Sequence, residues 1–282
     1  MSAAPFNINY SFLAIKSELR KAWRLGTAFL RARPDFILPG APKCATSSLY
    51  DWLGGHPMVR RATRKEPANF IHYPTSELRS RMHFPLRTSP TRFLTGEASV
   101  EYFSHPLAAE NIQAIFPDVR LIFILRDPVQ RAWSDYRMFV ESKAETVDFE
   151  ILVESSIRWF KNPETRPLIN SALKNAFSPV RYLANGLYIE ILSRWLRYFP
   201  REQCVILFRE DFLTRPKFVQ ERVLKHLRLP MTYSAPFPHS RKGNSSEKMR
   251  AETKELLTDF YREPDDQLED FLGIQLPWRK YG

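Results

Sequence analysis

The chain has 282 residues, 44% hydrophobic and 26% charged, enough to bury the core of one large domain. That composition excludes a low-complexity chain, no solenoid repeat is found, and no window approaches the ~20 apolar residues that a membrane-spanning helix needs. Lys+Arg at 42 against Asp+Glu at 31 gives a net charge of +11, which suits a polyanionic ligand, an acidic polysaccharide, nucleic acid or a membrane surface; the alternative is a merely basic surface.

Residues 10–33 are predicted to form an amphipathic helix, with Phe12, Ile15, Leu19, Ala22, Gly26, Phe29 and Leu30 at helical spacing. Lys16, Arg20 and Arg24 form a basic stripe beside them. Because its apolar face is modest, the helix is expected to dock on its own domain, with peripheral contact to a membrane as the other reading. The chain accordingly divides into an N-terminal helical extension, 1–34, and a single domain, 35–282. No basic n-region followed by an apolar run opens the sequence, so no secretory signal is read there. Cys44 falls in a loop and Cys204 opens a strand, so no structural disulfide is expected and a cytoplasmic, reducing location is.

From Asp35 the pattern turns to strand, turn and helix: FILPGA is a short buried strand, PKCAT a turn and SSLYDWL a helix opened by hydroxyl residues. An irregular Arg- and Pro-rich stretch, 57–92, leads to a second short strand at 93–99 and a helix at 105–116. VRLIFILRD, 119–127, is a continuous apolar run of the kind central parallel strands show. Pro128 starts a helix in the favoured first-turn position, and a helical region spans 148–160. In 186–199, Leu187, Ile191, Leu192, Trp195 and Phe199 make one apolar stripe, read as core. CVILFRED, 204–211, is another buried strand, followed by a helix at 215–227, a basic loop at 230–246 and a charged helix at 247–271. Strands alternating with helices predict an α/β fold whose parallel sheet is covered by helices on both faces. Ligands of such folds bind beyond the carboxyl ends of the strands.

Three polar clusters lie at those ends or in loops that reach them. In LPGAPKCATSSL, Lys43 follows Gly40 by three residues and Thr46, Ser47 and Ser48 come next, an order unlike the NTPase G-x-x-x-x-G-K-[ST]. Unpaired amides at the start of the helix, its dipole, the Lys43 charge and the hydroxyl donors suit a terminal phosphate. The alternative is a lysine and an N-cap hydroxyl that only start a helix. In LRDPVQRAWSDY, Arg126 ends a buried strand, where an arginine has little reason to be unless it meets an anion, and Ser134 lies two turns along the next helix. A Walker B reading of LIFILRD suffers because Arg126 takes the place of the metal-binding acid and displaces Asp127 by one. In HSRKGNSS, Arg241 and Lys242 beside Gly243 make a basic clasp that permits close backbone approach, or else a solvated loop. Together the clusters point to a ligand with phosphates at two separated points.

PKCATSSL, ILRDPVQRAWSDY, GLYIEILSRWLRYFP and SRKGN, in this order, resemble the sulfotransferase family, in the branch of the heparan sulfate N- and 3-O-sulfotransferases and many small bacterial homologues. The resemblance runs from Phe36 to Gly273. It implies a three-layer, P-loop-NTPase-like α/β fold and the donor 3′-phosphoadenosine 5′-phosphosulfate, with adenosine 3′,5′-bisphosphate as product. By match, it implies that Lys43, Ala45, Thr46, Ser47 and Ser48 hold the 5′-phosphosulfate and that Arg126 and Ser134 hold the 3′-phosphate. Arg241, Lys242 and Gly243 match the late basic loop. Two positions depart from the family pattern: Ala45 stands where glycine is usual, and Ala98 in GEASVEYF stands at the lysine of G-E-K-[ST]-P-x-Y-F. The cysteine pair that follows the basic loop in secreted-pathway relatives is missing.

Sulfuryl transfer through a loose in-line transition state depends on positioning and charge stabilisation, with Lys43 on the leaving phosphate and a base taking the proton of the acceptor alcohol or amine. Glu66 in RKEPANFIH matches the catalytic glutamate of the heparan sulfate branch; Lys65 beside it is placed to orient donor or acceptor, and His72 is the reserve base. Without the resemblance, Glu66 is a surface-loop carboxylate. No His, Cys or Asp cluster has metal-ligand spacing, so no metal is expected. The expected acceptor is a glycan, lipid or small molecule; no nucleic-acid module is seen. The competing readings are a P-loop kinase or NTPase, which lacks its G-K-[ST], and a non-enzymatic basic adaptor for membrane or nucleic acid, which leaves the strand-end clusters unexplained.

Overall fold

The computed structural model describes residues 8–71, 76–87, 92–175, 178–238 and 247–279. Four strands, β1 (Phe36–Gly40), β2 (Gly96–Glu97), β3 (Arg120–Leu125) and β4 (Cys204–Phe208), form a parallel sheet in the order β2-β1-β3-β4. Phe36 stands opposite both Gly96 and Arg120, and Leu121 to Leu125 run in step with Cys204 to Phe208. Every residue of β1 and β4, and all but the first of β3, is buried. Successive strand side chains point to opposite faces, so burial without alternation means that both faces are covered. The α/β reading holds.

The cover comes from α2 (Thr46–Leu53), α3 (Ala108–Ile115), α4 (Pro128–Glu141), α5 (Phe149–Lys161), α6 (Tyr188–Trp195), α7 (Pro216–Leu227) and α8 (Ala251–Leu272). Leu49, Trp52 and Leu53 of α2, Ile191 and Trp195 of α6 and Val219 and Leu224 of α7 join the strands in the main core. A second cluster packs Val129 and Ala132 of α4 against Phe149 and Val153 of α5 and Leu257 and Tyr261 of α8. The stripe read at 186–199 is core in full: Leu187, Ile191, Leu192, Trp195 and Phe199 are all buried.

Several boundaries move. The segment 204–211 leaves the sheet at Phe208, and Arg209–Thr214 winds into a short helix. Of 93–99 only Gly96–Glu97 joins the sheet, Leu94 bridging instead to Val59, and glycine is what permits the sheet pairing, because a Cβ at Gly96 would lie 2.3 Å from the Phe36 carbonyl oxygen. The N-terminal helix, α1 (Ile8–Gly26), ends well before residue 33, and Ala28–Leu30 forms a 3-10 turn. The apolar face does not make the contact with the domain: Ile15, Leu19, Ala22, Phe29 and Leu30 are exposed. The face that meets the domain is the basic stripe, through Arg24, whose Nη1 donates to Thr63 Oγ1 at 3.0 Å and to the Met82 carbonyl at 3.1 Å. The side chain of Phe12 falls outside the described ones. Among the described residues no helix is long and apolar enough to cross a membrane.

Gly96→Ala is expected to lower stability by about 1–3 kcal/mol through overpacking against β1. Urea denaturation measures it as a lower midpoint at unchanged slope. An unchanged midpoint contradicts the close approach of the two strands.

Candidate active site

β1 hands the chain to a loop at its carboxyl end in which Lys43 and Ala45 both adopt the left-handed conformation, φ 66° and 69°. That region costs a non-glycine residue about 1–2 kcal/mol. Its use here, on either side of Cys44, suits a concavity that gathers backbone N–H groups around an anion. Ala45 is the N-cap of α2, and the first amide to find a carbonyl across the turn is that of Leu49, bonded to the Ala45 oxygen at 3.1 Å. The amides of Thr46, Ser47 and Ser48 therefore have no partner within the helix, and the positive end of its dipole lies with them. Thr46 and Ser48 are buried; Lys43, Ala45 and Ser47 are half-buried.

Ser47 is the link to the rest of the site. Lys65 Nζ donates to Ser47 Oγ at 2.7 Å and lies 2.7 Å from Glu66 Oε1. One ammonium thus holds together the phosphate-type loop and the carboxylate read as the base. The Glu66 side chain is 47% exposed, within reach of an incoming molecule. A cavity of about 290 Å³ opens beside it, lined by Arg64, Glu66, Pro67, Ala68, Ser99 and Glu101, with Val100 completing the wall.

Arg126 reaches the same loop from β3: its Nη1 donates to the Lys43 carbonyl at 3.3 Å, and its own carbonyl accepts from the Tyr188 hydroxyl at 2.8 Å. Burial first, and the neighbouring Arg209 next, pull its pKa below the ordinary arginine value. Asp127 is occupied elsewhere, since Oδ1 caps α4 by accepting from the amides of Val129 at 2.9 Å and Gln130 at 3.4 Å. Ser134 is half-buried two turns along that helix. Three residues further on, Arg137 forms an ion pair with Glu247, the first described residue after the basic clasp. At the other flank Phe237 packs on Trp52 at 5.2 Å. His72, Arg241, Lys242 and Gly243 themselves lie outside the described residues.

The sequence reading gave Glu97 no role. Its carboxyl is fully buried behind the cavity wall, accepting from Ser99 Oγ at 2.5 Å and the Tyr102 hydroxyl at 3.1 Å. Ser99 Oγ in turn accepts from the amide of Ala68, two residues past Glu66, at 3.2 Å. Burial, offset in part by these hydroxyls and reinforced by the charge of Glu66, pushes the Glu97 pKa up to about 8. The signal available in the sequence was an acid at the end of a short strand, GEAS, where a solvated side chain is out of place.

A sulfotransferase domain profile matches residues 33–265. The chain belongs to the sulfotransferase family. It is 29% identical to human carbohydrate sulfotransferase 15 over 86% of this chain and 54% of that protein. It is 27% identical to mouse heparan sulfate glucosamine 3-O-sulfotransferase 3B1 over 87% of this chain and 65% of that one. A solved sulfotransferase from Alicyclobacillus acidocaldarius superposes with a TM-score of 0.69 at 27% identity, covering 88% of this chain and 99% of its own. The chain spans about half the length of the first of these curated relatives.

Within this family member the two departures from the family pattern have structural content. Ala45 takes the left-handed turn that glycine would take without steric cost. Ala98 is buried, and its amide donates to the Lys65 carbonyl at 3.0 Å. Position 98 thus holds the loop of Lys65 and Glu66 through its amide, while the bridging cation stands at Lys65.

The raised pKa of Glu97 makes a stability prediction. An unfolded carboxyl titrates near 4.5 and the folded one at about 8, so as pH rises between those values the unfolded state loses its proton first. Stability should fall with pH across that window and level off above it. Glu97→Gln, neutral throughout, should show a shallower fall in urea midpoint between about pH 5 and about pH 8. Parallel pH profiles for the two proteins contradict the assignment.

Proposed function

We propose that this chain moves a sulfuryl group from 3′-phosphoadenosine 5′-phosphosulfate to a hydroxyl or amine of a glycan, lipid or small-molecule acceptor. The observation that carries the reading is the Lys65 bridge, which puts a carboxylate with an open cavity beside a loop built for a phosphate. The loop fits the donor: left-handed turns at Lys43 and Ala45, first-turn amides without a partner within the helix and the Lys43 charge together match a phosphosulfate and lack the NTPase order. The names of the relatives, carbohydrate sulfotransferase and heparan sulfate glucosamine sulfotransferase, support a glycan acceptor.

In this reading the donor, when bound, supplies the sulfuryl group and a phosphate leaving group. Lys43 and the amides of Ala45, Thr46, Ser47 and Ser48 hold the 5′-phosphosulfate, and their positive charge answers the charge that grows on the leaving oxygen. Arg126 and Ser134 hold the 3′-phosphate, a role suited to the guanidinium fork. Arg241, Lys242 and Gly243 complete the donor site. Glu66 takes the acceptor proton at a carboxylate oxygen as the new S–O or S–N bond forms, with His72 as the reserve base. Lys65 keeps that carboxylate in register with Ser47. The kinase reading is disfavoured by Asp127, whose carboxyl caps a helix. The cytoplasmic location is part of this proposal and rests on the two cysteines, Cys44 and Cys204, which are buried free thiols.

The test is transfer of labelled sulfate from the donor to a panel of glycan, lipid and small-molecule acceptors. Wild-type protein is expected to label at least one of them. Glu66→Gln should leave donor affinity nearly intact and lower kcat by about 10²–10⁴-fold, whereas Lys43→Ala should weaken both donor binding and turnover. If His72→Ala abolishes transfer and Glu66→Gln does not, the base is His72. No transfer to any acceptor, with stronger thermal protection by ATP–magnesium than by adenosine 3′,5′-bisphosphate, overturns the reading.

A further inference from the structure

Helix α1 carries an apolar face that the domain leaves uncovered. At 100° per residue, Ile15, Leu19 and Trp23 form one row and Lys16, Arg20 and Arg24 the adjoining row. Ile15, Leu19 and Trp23 are 58%, 66% and 54% exposed. Past the helix the exposed apolar run continues through Phe29 and Leu30. Nowhere else among the described residues are exposed large apolar side chains so concentrated. Between Ile15 and Gly26 the chain has four basic residues, Lys16, Arg20, Lys21 and Arg24, against one acid, Glu18, which lies 3.9 Å from Lys21.

We propose that α1 lies in the interface of an anionic lipid bilayer, with Ile15, Leu19 and Trp23 at the acyl boundary and Lys16 and Arg20 on the headgroup phosphates. Three observations choose this occupant. The domain meets the helix through Arg24, and Arg31 lies over the Trp23 ring at 4.8 Å, yet Ile15, Leu19 and Trp23 each stay more than half exposed. A second copy paired on the same row by a two-fold axis would bring the flanking basic rows of both helices together, an unfavourable meeting of like charges. An apolar row carrying tryptophan and bordered by lysine and arginine complements a surface that is apolar below and anionic above.

The anchorage has a consequence for the site. Arg24 holds Thr63, and Arg64, Lys65 and Glu66 follow directly, so the membrane-facing helix and the loop of the base are joined by one hydrogen bond of 3.0 Å. Docking through α1 then fixes how the Glu66 cavity faces the lipid surface and favours acceptors carried on it. That last step rests on the function proposed above; the docking itself does not.

The test uses the full chain and sedimentation with vesicles of phosphatidylcholine alone or with added phosphatidylglycerol, at low and high salt. Wild-type protein should sediment with the anionic vesicles and less so as salt rises. Ile15→Ser with Leu19→Ser, and separately Lys16→Glu with Arg20→Glu, should each lower the partition coefficient by about tenfold or more. Neither pair should shift the melting temperature, because these side chains are exposed. Failure of the wild type to bind anionic vesicles, or variants that bind as the wild type does, overturns the proposal. So does a wild-type dimer in the ultracentrifuge that Ile15→Ser with Leu19→Ser abolishes, without any vesicle binding. The assay reads no transfer, so its failure is separate from a failure of the sulfotransferase reading.

Discussion

The ammonium of Lys65, 2.7 Å from both Ser47 Oγ and Glu66 Oε1, is the contact on which the site depends. Ser47 belongs to a helix that starts off a central strand, whereas Glu66 belongs to a long irregular stretch with little regular structure of its own. A carboxylate on such a stretch has no fixed distance to the sheet unless something fixes it. A half-exposed ion pair adds little to stability, about 0–1 kcal/mol, so the weight of this contact is geometric. It sets where the Glu66 carboxylate stands relative to the first turn of α2.

The rest of the fold serves to hold the two ends of that bridge. On the Ser47 side, Arg126 ties β3 to the loop through the Lys43 carbonyl, and Tyr188 of α6 ties the end of β3 through the Arg126 carbonyl. Helix α4, which carries Ser134, is fixed by a fully buried pair, Arg131 and Asp135 at 3.1 Å, with Arg131 also donating to the Tyr182 carbonyl. Breaking such a pair leaves a buried charge uncompensated, at a cost of about 3–5 kcal/mol. On the Glu66 side, Glu97, Ser99 and the Ala68 amide form a buried chain behind the cavity, and the Ala98 amide holds the Lys65 carbonyl.

What the sequence made legible follows from the range of the interactions involved. The apolar runs at 36–40, 120–125 and 204–208 announced a parallel sheet because burial on both faces removes alternation, a local signature. The start of α2 at Thr46 was legible for the same reason, hydroxyl residues after a short strand. The contact of Lys65 with Ser47 was not, because eighteen residues separate them and only the tertiary fold brings them together. Glu97 was passed over because its meaning lies in its burial. In α1 the period identified the apolar row correctly, yet a period says which side is apolar and nothing about what covers it. The helix meets the domain through Arg24, and the apolar row stays exposed.

A crystal structure of the protein with adenosine 3′,5′-bisphosphate tests the central claim most directly. The account predicts the 5′-phosphate on Lys43 and the amides at the start of α2, the 3′-phosphate on Arg126, and Glu66 still joined to Ser47 through Lys65. A nucleotide bound away from this loop, or bound there with its two phosphates exchanged, would contradict it.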